Sequence, residues 1–349
     1  SAAMQDYYNQ LGMQTSFNAY SYYGHTPLTA AMFSVKYEFT DNTPSLPTNM
    51  TEIGSQTYST GNNAASTVHL YEYNNTLPLG FMVNMSTEAN WNKETGNPFT
   101  TQNSFVKTAI DSDANIFHQL QTTDTVGTFT AKYQLEEDDN YKPSGDAATY
   151  DVYFYCVTSS ETLTVNITNG SITDDNSTTK TFSSTNQNYI CHVGNVSAGS
   201  TITVTASDGQ ALTTCYAYAF DNDAWETAYK LLNKNPYTVE SYSDTKITGK
   251  VTAKKQGIMY TSIPYDKGWN VYVDGVKSKT TSICSGALTG VLVEAGTHEI
   301  TFKYTPKGLV PGIVITIICL LIFLGIIYKD NIINLISNKS KNNKVTSKK

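Results

Sequence analysis

Short runs in which β-branched and aromatic residues recur between polar ones occupy the middle of the chain. The pattern is clearest at Thr149–Val157, Thr162–Ile167 and Ser200–Thr205. Such runs are typical of strands that place one face on a core and the other in water. Clusters of Asn, Asp, Gly and Ser separate them, so the pattern predicts an antiparallel β-sandwich.

Two segments have helical rather than strand-like character. Residues Phe105–Leu120 are expected to contain a short helix that is capped by Asn103 or Ser104. Trp225–Lys234 is expected to form a second helix, with Asp223 as its N-cap. This helix places three apolar side chains on one face, which we interpret as packing against a core: Trp225, Tyr229 and Leu232.

The residues before Leu309 predict a further β unit. Gly257–Ile263 is expected to be a strand. Trp269–Val273 is expected to pair with Val276–Lys279 around Asp274-Gly275, because an Asp-Gly pair supplies the positive φ angles of a two-residue hairpin turn. Two more strands are predicted after this hairpin: Val291–Glu294 and His298–Tyr304.

The first part of the chain mixes short apolar runs with turn residues, and strands are expected at Met32–Phe39 and Leu77–Val83. The predicted fold class is mainly β, built from antiparallel β-sandwich units, with an α+β N-terminal region and one C-terminal transmembrane helix. Five units are expected: a mixed α+β domain (1–145), a β-sandwich domain with one helix (146–245), a small β unit packing on both (246–308), a transmembrane helix (309–328) and a basic tail (329–349).

The apolar stretch Leu309–Tyr328 has 20 residues without a charge. A helix of this length spans about 30 Å, the thickness of the hydrocarbon core of a bilayer. From Leu309 onward the chain carries six lysines and one acidic residue, whereas residues 1–308 carry 17 lysines and 29 acidic residues. The positive-inside tendency predicts a protein of the cell membrane with an extracytoplasmic body and a cytoplasmic tail.

The first ten residues have neither the basic segment nor the apolar segment of a signal peptide. No other stretch of residues 1–308 is apolar enough to carry the body across a membrane. We therefore expect a translocating segment upstream of Ser1, and a chain that is the C-terminal piece of a longer protein.

Composition argues against several classes of function. The 23 basic residues are all lysine, so no arginine can clamp a phosphate or a carboxylate. Together with the net charge of −7, this argues against nucleic-acid binding, which usually uses a basic, arginine-rich patch. No GxSxG, HExxH or glycine-rich phosphate loop occurs and the five histidines are scattered, so the sequence predicts no catalytic residue, no metal site and no cofactor.

The cysteine pattern leaves two interpretations open. Five cysteines occur, and Cys319 lies in the predicted membrane span. Cys156, Cys191 and Cys215 are compatible with one disulfide outside the cell or with separate buried thiols in strands. Their spacing does not match a zinc site.

Aromatic residues beside polar groups are candidates for sugar binding, because a pyranose face stacks on an aromatic ring while its hydroxyls take polar partners. The best local candidate for glycan binding is the segment that contains Tyr265, Asp266 and Trp269. Trp91, which lies among asparagine and lysine residues, is a weaker one. The alternative for Tyr265 and Trp269 is that they are core or hinge aromatics ahead of the following hairpin.

Several segments together resemble the YfhO-like family of bacterial membrane proteins. Met32–Phe39 is similar to a family strand that contains a Lys-Tyr pair, and Leu70–Val83 to a segment that contains a Leu-Pro pair. Asn97–Asn103 is similar to the family's NPF..QN signature before a helix. The most specific likeness lies in the last third of the chain: Ser262–Gly275, Ala295–Ile300 and Tyr304–Gly308.

The resemblance implies a polytopic membrane protein that is similar to GT-C glycosyltransferases, which move a sugar from a polyprenyl-phosphate carrier to envelope polymers such as lipoteichoic acid. The implied partners are the lipid bilayer, the polyprenyl-phosphate sugar and a glycan or teichoic-acid-type polymer. In that class the catalytic carboxylate lies in an early extracytoplasmic loop, so the resemblance implies no catalytic residue in this chain. The chain would then aid acceptor or glycan binding.

Two other hypotheses stay open: a non-catalytic, membrane-anchored carbohydrate-binding or adhesin-like surface protein, and a purely structural ectodomain. Both require a signal sequence directly upstream, whereas the glycosyltransferase hypothesis requires a long run of membrane spans there. The acidic body disfavours close contact with a polyanionic polymer. Any acceptor contact is therefore expected to use neutral polar and aromatic groups.

Overall fold

The computed structural model describes residues 2–16, 19–40, 49–60, 64–93, 96–122, 130–134, 141, 149–173 and 176–346, and most of its regular structure is antiparallel strand. The α-helices are α1 (Ala2–Leu11), α2 (Pro27–Met32), α3 (Thr87–Asn90), α4 (Pro98–Ile110), α5 (Asn222–Leu232) and α6 (Leu309–Thr346). Two 3₁₀ helices lie at Thr185–Gln187 and Cys284–Gly286. The strands are β1 (Thr15–Ser16), β2 (Ala19–Tyr20), β3 (Tyr37–Thr40), β4 (Met50–Thr60), β5 (Ala64–Tyr73), β6 (Gly80–Asn84), β7 (Phe117–Gln119), β8 (Gln121–Thr122), β9 (Thr130–Gln134), β10 (Thr149–Thr158), β11 (Thr162–Thr168), β12 (Thr179–Ser183), β13 (Cys191–Ser197), β14 (Thr201–Ala206), β15 (Leu212–Phe220), β16 (Thr238–Ser243), β17 (Lys246–Ala253), β18 (Gly257–Pro264), β19 (Trp269–Val273), β20 (Val276–Ser278), β21 (Thr281–Ile283), β22 (Leu288–Val293) and β23 (Gly296–Tyr304).

Two sheets form a β-sandwich in the middle of the chain, which confirms the interpretation of the alternating runs. One sheet has the strand order β13-β10-β15-β7 and the other has the order β12-β11-β14-β9-β8. Inward side chains of both sheets share one buried cluster that includes Tyr150, Val165, Val193 and Val204. The strands β7, β8 and β9 precede residue 146, so this first sandwich also uses chain from the N-terminal region.

A second sandwich is built from the strand orders β16-β17-β23-β19-β20 and β21-β22-β18-β6. Its edge strand β6 comes from far upstream and pairs Met82 with Met259. The predicted hairpin is confirmed: β19 and β20 pair around Asp274 and Gly275, whose φ angles are +51° and +77°. The second sandwich therefore does not stand alone, because the N-terminal region completes one of its sheets.

The helices α1, α2, α4 and α5 join the two sandwiches. One continuous buried cluster holds apolar side chains of these helices together with Phe117 and Phe220 of the first sandwich and Tyr260 and Leu288 of the second. Within it, Phe117 lies 5.0 Å from both Phe99 and Phe220, measured between ring centroids. The helical layer thus supplies the core on which both β units pack.

Both predicted helix starts are wrong. The helix α4 begins at Pro98 because Asn97 caps it, with Asn97 Oδ1 accepting a hydrogen bond from Phe99 N at 3.1 Å. A proline fits the first helical position, where its missing N–H costs nothing. The cap of α5 is Asp221 rather than Asp223, since Asp221 Oδ1 accepts from Ala224 N at 2.9 Å.

The predicted strand at Met32–Phe39 is only partly a strand. Its first residue ends α2, which Thr26 and Thr29 start with reciprocal side-chain and backbone hydrogen bonds, and β3 begins only at Tyr37. The predicted strand at Leu77–Val83 likewise begins only at Gly80. Local capping chemistry therefore overrides the apolar pattern at the first of these segments.

The sheet β3-β5-β4 contains a long hairpin, β4–β5, at the surface of the body. Side chains along β4 are exposed from Thr51 to Ser59. The exposed apolar residues of this sheet include Phe39, at 70% exposure, Ile53 and Tyr58. A sheet with exposed aromatic rings is a candidate interaction surface.

The C-terminal helix α6 contains a segment, Leu309–Asp330, that is long and apolar enough to cross a membrane, with a mean hydropathy of 3.0. None of this segment is buried against the rest of the described structure. The observation agrees with the predicted span at Leu309–Tyr328.

The structure resolves the cysteine question in favour of a disulfide. Cys156 and Cys215 lie directly opposite each other on β10 and β15 and are bonded, with their Cα atoms 4.1 Å apart. Cys191 and Cys284 are buried free thiols. Burial raises the pKa of both thiols, which leaves little reactive thiolate at neutral pH.

We therefore expect a maleimide reagent to leave these four cysteines unmodified in the folded chain at neutral pH. Unfolding without reductant should make Cys191 and Cys284 reactive, while Cys156 and Cys215 remain as a linked peptide pair. Peptide mass mapping measures both results. Modification of Cys156 in the unfolded, unreduced chain would contradict the assigned pairing.

Candidate functional site

Trp91, one of the predicted glycan-binding residues, lies in the core beside α4. It is 3% exposed, and its Nε1–H donates to Thr101 O at 2.8 Å. Phe105 and Tyr7 contact the indole edge-on, at centroid distances of 4.9 and 6.1 Å. Because the ring is covered by the protein, we do not include it in the binding site proposed below.

The other three predicted residues, Tyr265, Asp266 and Trp269, lie in the loop between β18 and β19 and at the first position of β19. Asp266 is exposed, and its Oδ1 accepts a hydrogen bond from Gly268 N at 2.6 Å, which closes a tight turn. Trp269 is half-buried and packs on Tyr304, with 5.0 Å between ring centroids. This loop therefore presents a braced, partly exposed indole beside a carboxylate.

A concave surface lies where the β3-β5-β4 sheet meets the loop between β2 and α2. We call it the aromatic groove; its volume is about 560 Å³, and its lining residues are Tyr22, Tyr23, His25, Glu38, Phe39, Thr40, Tyr58 and Val68. A second concavity of about 520 Å³ continues along the hairpin and shares Phe39, Tyr58 and Val68 with it. These volumes fall in the range of ordinary ligand sites.

Three solvent-exposed aromatic rings line the aromatic groove. Phe39 is 70% exposed, Tyr23 66% and Tyr58 45%. Strand pairing sets their positions: Phe39 lies opposite Leu70, and Tyr58 lies opposite Ser66 on the same central strand. The groove thus offers ring faces and edges that can be stacked upon.

Glu38 and His25, which both line the aromatic groove, belong to a hydrogen-bonded set of polar side chains. Tyr73 OH donates to Glu38 Oε2 at 2.6 Å. His25 Nε2 lies 3.4 Å from the same Glu38 oxygen, while His25 Nδ1–H donates to Tyr22 O at 2.9 Å. The imidazole also stacks on the Tyr22 ring at 4.4 Å, so its orientation is fixed from two sides.

Burial raises the pKa of Tyr22 and Tyr73, so both phenols stay protonated at physiological pH. Tyr73 is therefore a permanent donor to Glu38, which keeps the carboxylate in place. His25 and Glu38 remain partly exposed, at 21% and 25% of their side chains. This arrangement combines stacking surfaces with an oriented carboxylate and imidazole, which are groups that bind hydroxyl-rich ligands.

Another polar cluster joins the N-terminal region to the second sandwich. Glu88 pairs with Lys93 at 3.0 Å and also accepts hydrogen bonds from Tyr260 OH and from Cys284 N. These contacts satisfy the carboxylate and tie α3 to β18, so we interpret the cluster as structural. In the part of the chain that the structure describes, no group of three or more His, Cys, Asp or Glu side chains could hold a metal ion.

The chain matches a known family of membrane proteins over most of its length. The model of the family described as bacterial membrane protein YfhO matches residues 1–316, which is most of the chain. The chain belongs to the YfhO family. This agrees with the resemblance of its sequence segments and with the apolar helix at its C-terminal end.

Other comparisons add little to the YfhO assignment. No curated protein matches the chain. Among solved structures, a quercetin 2,3-dioxygenase from Acinetobacter baumannii is 10% identical, with 54% of this chain and 78% of that chain covered at a TM-score of 0.13. GK1651 from Geobacillus kaustophilus is 9% identical, with 54% and 89% covered at a TM-score of 0.10. Such scores are too low to indicate a shared fold.

The YfhO-like segment Asn97–Asn103 is structural. Gln102 Nε2 donates to Leu11 O at 2.8 Å, and Gln102 Oε1 accepts from Thr26 Oγ1 at 2.6 Å. Asn103 Oδ1 accepts from the backbone N–H groups of Ile116 and Phe117, both at 2.9 Å, and its Nδ2 donates to Phe117 O at 2.8 Å. These buried amides hold α1, α2 and β7 around α4.

Two other YfhO-like segments reach the aromatic groove. Met32–Phe39 contributes Glu38 and Phe39 to its lining, and Leu70–Val83 contributes Tyr73, which holds Glu38. Sequence reasoning missed the groove because its lining residues are far apart along the chain. Tyr22 and His25 lie in the loop before α2, whereas Glu38 and Tyr58 lie on strands of the β3-β5-β4 sheet. The local signal was the run of tyrosines near residue 22 followed by a histidine, which the sequence alone does not link to Glu38.

Proposed function

We propose that this chain is the extracytoplasmic C-terminal part of a polytopic YfhO-family glycosyltransferase, which transfers sugar from a polyprenyl-phosphate donor to envelope polymers such as lipoteichoic acid. In this proposal the chain binds the glycan or acceptor, and the catalytic groups belong to the membrane-embedded half. The observation that carries the proposal is the aromatic groove, with exposed rings next to the hydrogen-bonded set of His25, Glu38 and Tyr73.

The charge of the groove supports a neutral polar ligand rather than a bare polyanion. Glu38 is its acidic residue, and the lining contains no lysine among the residues described. A teichoic-acid-type acceptor would therefore place its sugar or alcohol groups on the rings and keep its phosphates outside. The loop with Tyr265, Asp266 and Trp269 is a second proposed glycan contact, nearer to the membrane helix.

Glycan binding to the full chain in lipid nanodiscs tests this proposal. The ligands are soluble oligosaccharides and a deacylated glycerol-phosphate polymer, and affinity is measured by calorimetry. Tyr58→Ala should weaken binding by about tenfold, because one stacked aromatic face contributes on the order of 1–3 kcal/mol. Trp269→Ala should weaken it by a similar factor if the loop also contacts the ligand.

Tyr242→Ala is the matched control, since Tyr242 is 84% exposed but lies outside the groove. Its affinity should equal that of the unchanged chain. No measurable binding of any of these ligands to the unchanged chain, or equal losses in Tyr58→Ala and Tyr242→Ala, would contradict the proposed role of the groove.

The proposed sidedness places residues 1–308 outside the cell and the lysine-rich tail inside. It rests on the excess of lysine after the span and on the positive-inside tendency. In intact cells, a membrane-impermeant maleimide should modify Gly54→Cys in the exposed hairpin, and should modify Lys344→Cys in the tail only after permeabilisation. The reverse pattern would show the opposite orientation.

A further inference from the structure

One end of the second sandwich lies directly beside the start of the membrane helix. The last strand, β23, ends at Tyr304, and Thr305 N donates to Gly268 O at 3.0 Å. Only three residues then separate Thr305 from Leu309, where the apolar helix begins. At about 3.5 Å per residue, Gly268 cannot lie farther than about 14 to 17 Å from the hydrocarbon edge.

The headgroup layer on each side of a bilayer is about 5–8 Å thick. The end of the sandwich that carries Gly268 must therefore lie at or just above the headgroups. Strand register identifies the other residues at this end, because β17 and β19 both run antiparallel to β23 and start beside its last residues.

Several lysines lie at this end. We call the following five lysines, with Trp269 and Tyr304, the membrane-side rim: Lys246, Lys267, Lys279, Lys303 and Lys307. The acidic residues in the same turns are Asp244 and Asp266, so the rim carries a local positive charge. Residues 1–308 as a whole carry 17 lysines and 29 acidic residues. The positive charge of the rim is therefore opposite in sign to the net charge of the body.

Two of the rim lysines are neighbours across paired strands. Lys246 and Lys303 are direct partners across β17 and β23, so their side chains leave the same face of the sheet. Like charges directly opposite each other destabilise a sheet unless something anionic lies between them. Within the described part of the chain, no carboxylate forms an ion pair with any rim lysine, and the Lys303 ammonium lies 4.8 Å from the centre of the Tyr272 ring.

Aromatic side chains complete the rim. Trp269 and Tyr304 are direct cross-strand partners, and both are half-buried. Tryptophan and tyrosine are enriched at membrane–water interfaces, where one part of the ring is in an apolar environment and the polar group remains hydrated. Their position between the lysines and the helix start matches that of an interfacial anchor.

We propose that the membrane-side rim docks on anionic phospholipid headgroups and holds the body in a fixed orientation on the bilayer. The lysines bind the headgroup phosphates, and Trp269 and Tyr304 lie at the level of the headgroups, where the exposed part of Trp269 also stays accessible to a glycan near the membrane. The proposal concerns lipid, not glycan, and does not depend on the aromatic groove.

Fluorescence of Trp269 in the full chain tests this proposal, because Trp91 and Trp225 are only 3% and 1% exposed. The chain is placed in nanodiscs of phosphatidylcholine with or without phosphatidylglycerol, each containing a headgroup spin-labelled lipid as quencher. We expect at least twofold stronger quenching with phosphatidylglycerol. The variant Trp269→Phe should remove the quenched component, which assigns the signal.

A triple variant, Lys246→Gln/Lys267→Gln/Lys303→Gln, should lose the dependence on phosphatidylglycerol. The matched control is Lys254→Gln/Lys255→Gln/Lys277→Gln, which removes the same charge from the same sandwich; Lys254 and Lys255 follow β17, at the end away from the helix. The control should keep the lipid dependence. Both triple variants must show the unfolding transition of the unchanged chain, and a rim variant that fails this is replaced by the single change Lys303→Gln.

Inorganic phosphate distinguishes a lipid surface from a site for free phosphate. If the rim binds the lipid layer, phosphate added at matched ionic strength leaves the quenching unchanged. Displacement of Trp269 from the lipid by phosphate, quenching that is equal in both lipid mixtures, or equal loss in the two triple variants would each overturn the proposal.

Discussion

Replacing Asn103 with alanine should lower the free energy of unfolding by about 3 kcal/mol. The change removes the hydrogen-bond partner of three buried backbone groups: the N–H groups of Ile116 and Phe117 and the carbonyl of Phe117. Each buried polar group left without a partner costs about 1–3 kcal/mol. No water can easily replace the amide, because Phe117 itself is 1% exposed.

Denaturant unfolding of the full chain in detergent micelles, followed by tryptophan fluorescence, measures this loss. Asn90→Ala is the control, because Asn90 is exposed at the end of α3. It should change the free energy of unfolding by less than about 0.5 kcal/mol. Equal stability of Asn103→Ala and Asn90→Ala would show that the Asn103 amide does not hold α4 to β7.

Under the proposed function, the second large effect is expected on sugar transfer by the membrane protein that contains this chain. The double variant Phe39→Ala/Tyr58→Ala removes two exposed rings that line the aromatic groove. It should raise the acceptor concentration for half-maximal transfer by about ten- to a hundredfold. This range corresponds to a loss of about 1.4 kcal/mol of binding free energy for each factor of ten. The maximal rate should stay unchanged, because the proposal places the chemistry in the membrane-embedded half.

Transfer is measured in membranes that contain the complete protein, a polyprenyl-phosphate sugar and an envelope polymer acceptor. Tyr242→Ala again serves as the control with an exposed ring outside the groove. A lower maximal rate with an unchanged acceptor requirement would assign the groove to catalysis instead. Glycan binding without any transfer would favour the non-catalytic carbohydrate-binding protein that the sequence left open.

Much of the fold follows from the sequence because strands with one buried face and tight turns leave local signals. The alternation at Thr149–Val157 and the Asp274-Gly275 turn each predicted an element that the structure contains. The start of α4 was missed, although Asn97 followed by Pro98 is a strong capping signal, because the predicted start relied on the apolar run further on. The edge strand β6 could not be placed, since its partner Met259 is far away in sequence.

The candidate site was harder to predict than the fold. Its polar set joins His25, Glu38 and Tyr73, which come together only after β3 pairs with β5 and the loop after β2 folds over them. Trp91 illustrates the opposite difficulty. Its polar neighbours in the sequence suggested an exposed ring, but α4 supplies Thr101 and Phe105 to bury it.

Covalent mapping of a bound glycan tests the central claim most directly. A diazirine-bearing oligosaccharide or glycerol-phosphate polymer is bound to the full chain in nanodiscs, activated by light, and located by peptide mass mapping. The proposed function predicts adducts on peptides that contain residues 22–25, 37–40 and 54–70, and their loss when unlabelled ligand competes. Adducts spread over the whole body, or confined to peptides outside the aromatic groove and the Tyr265–Trp269 loop, would contradict it.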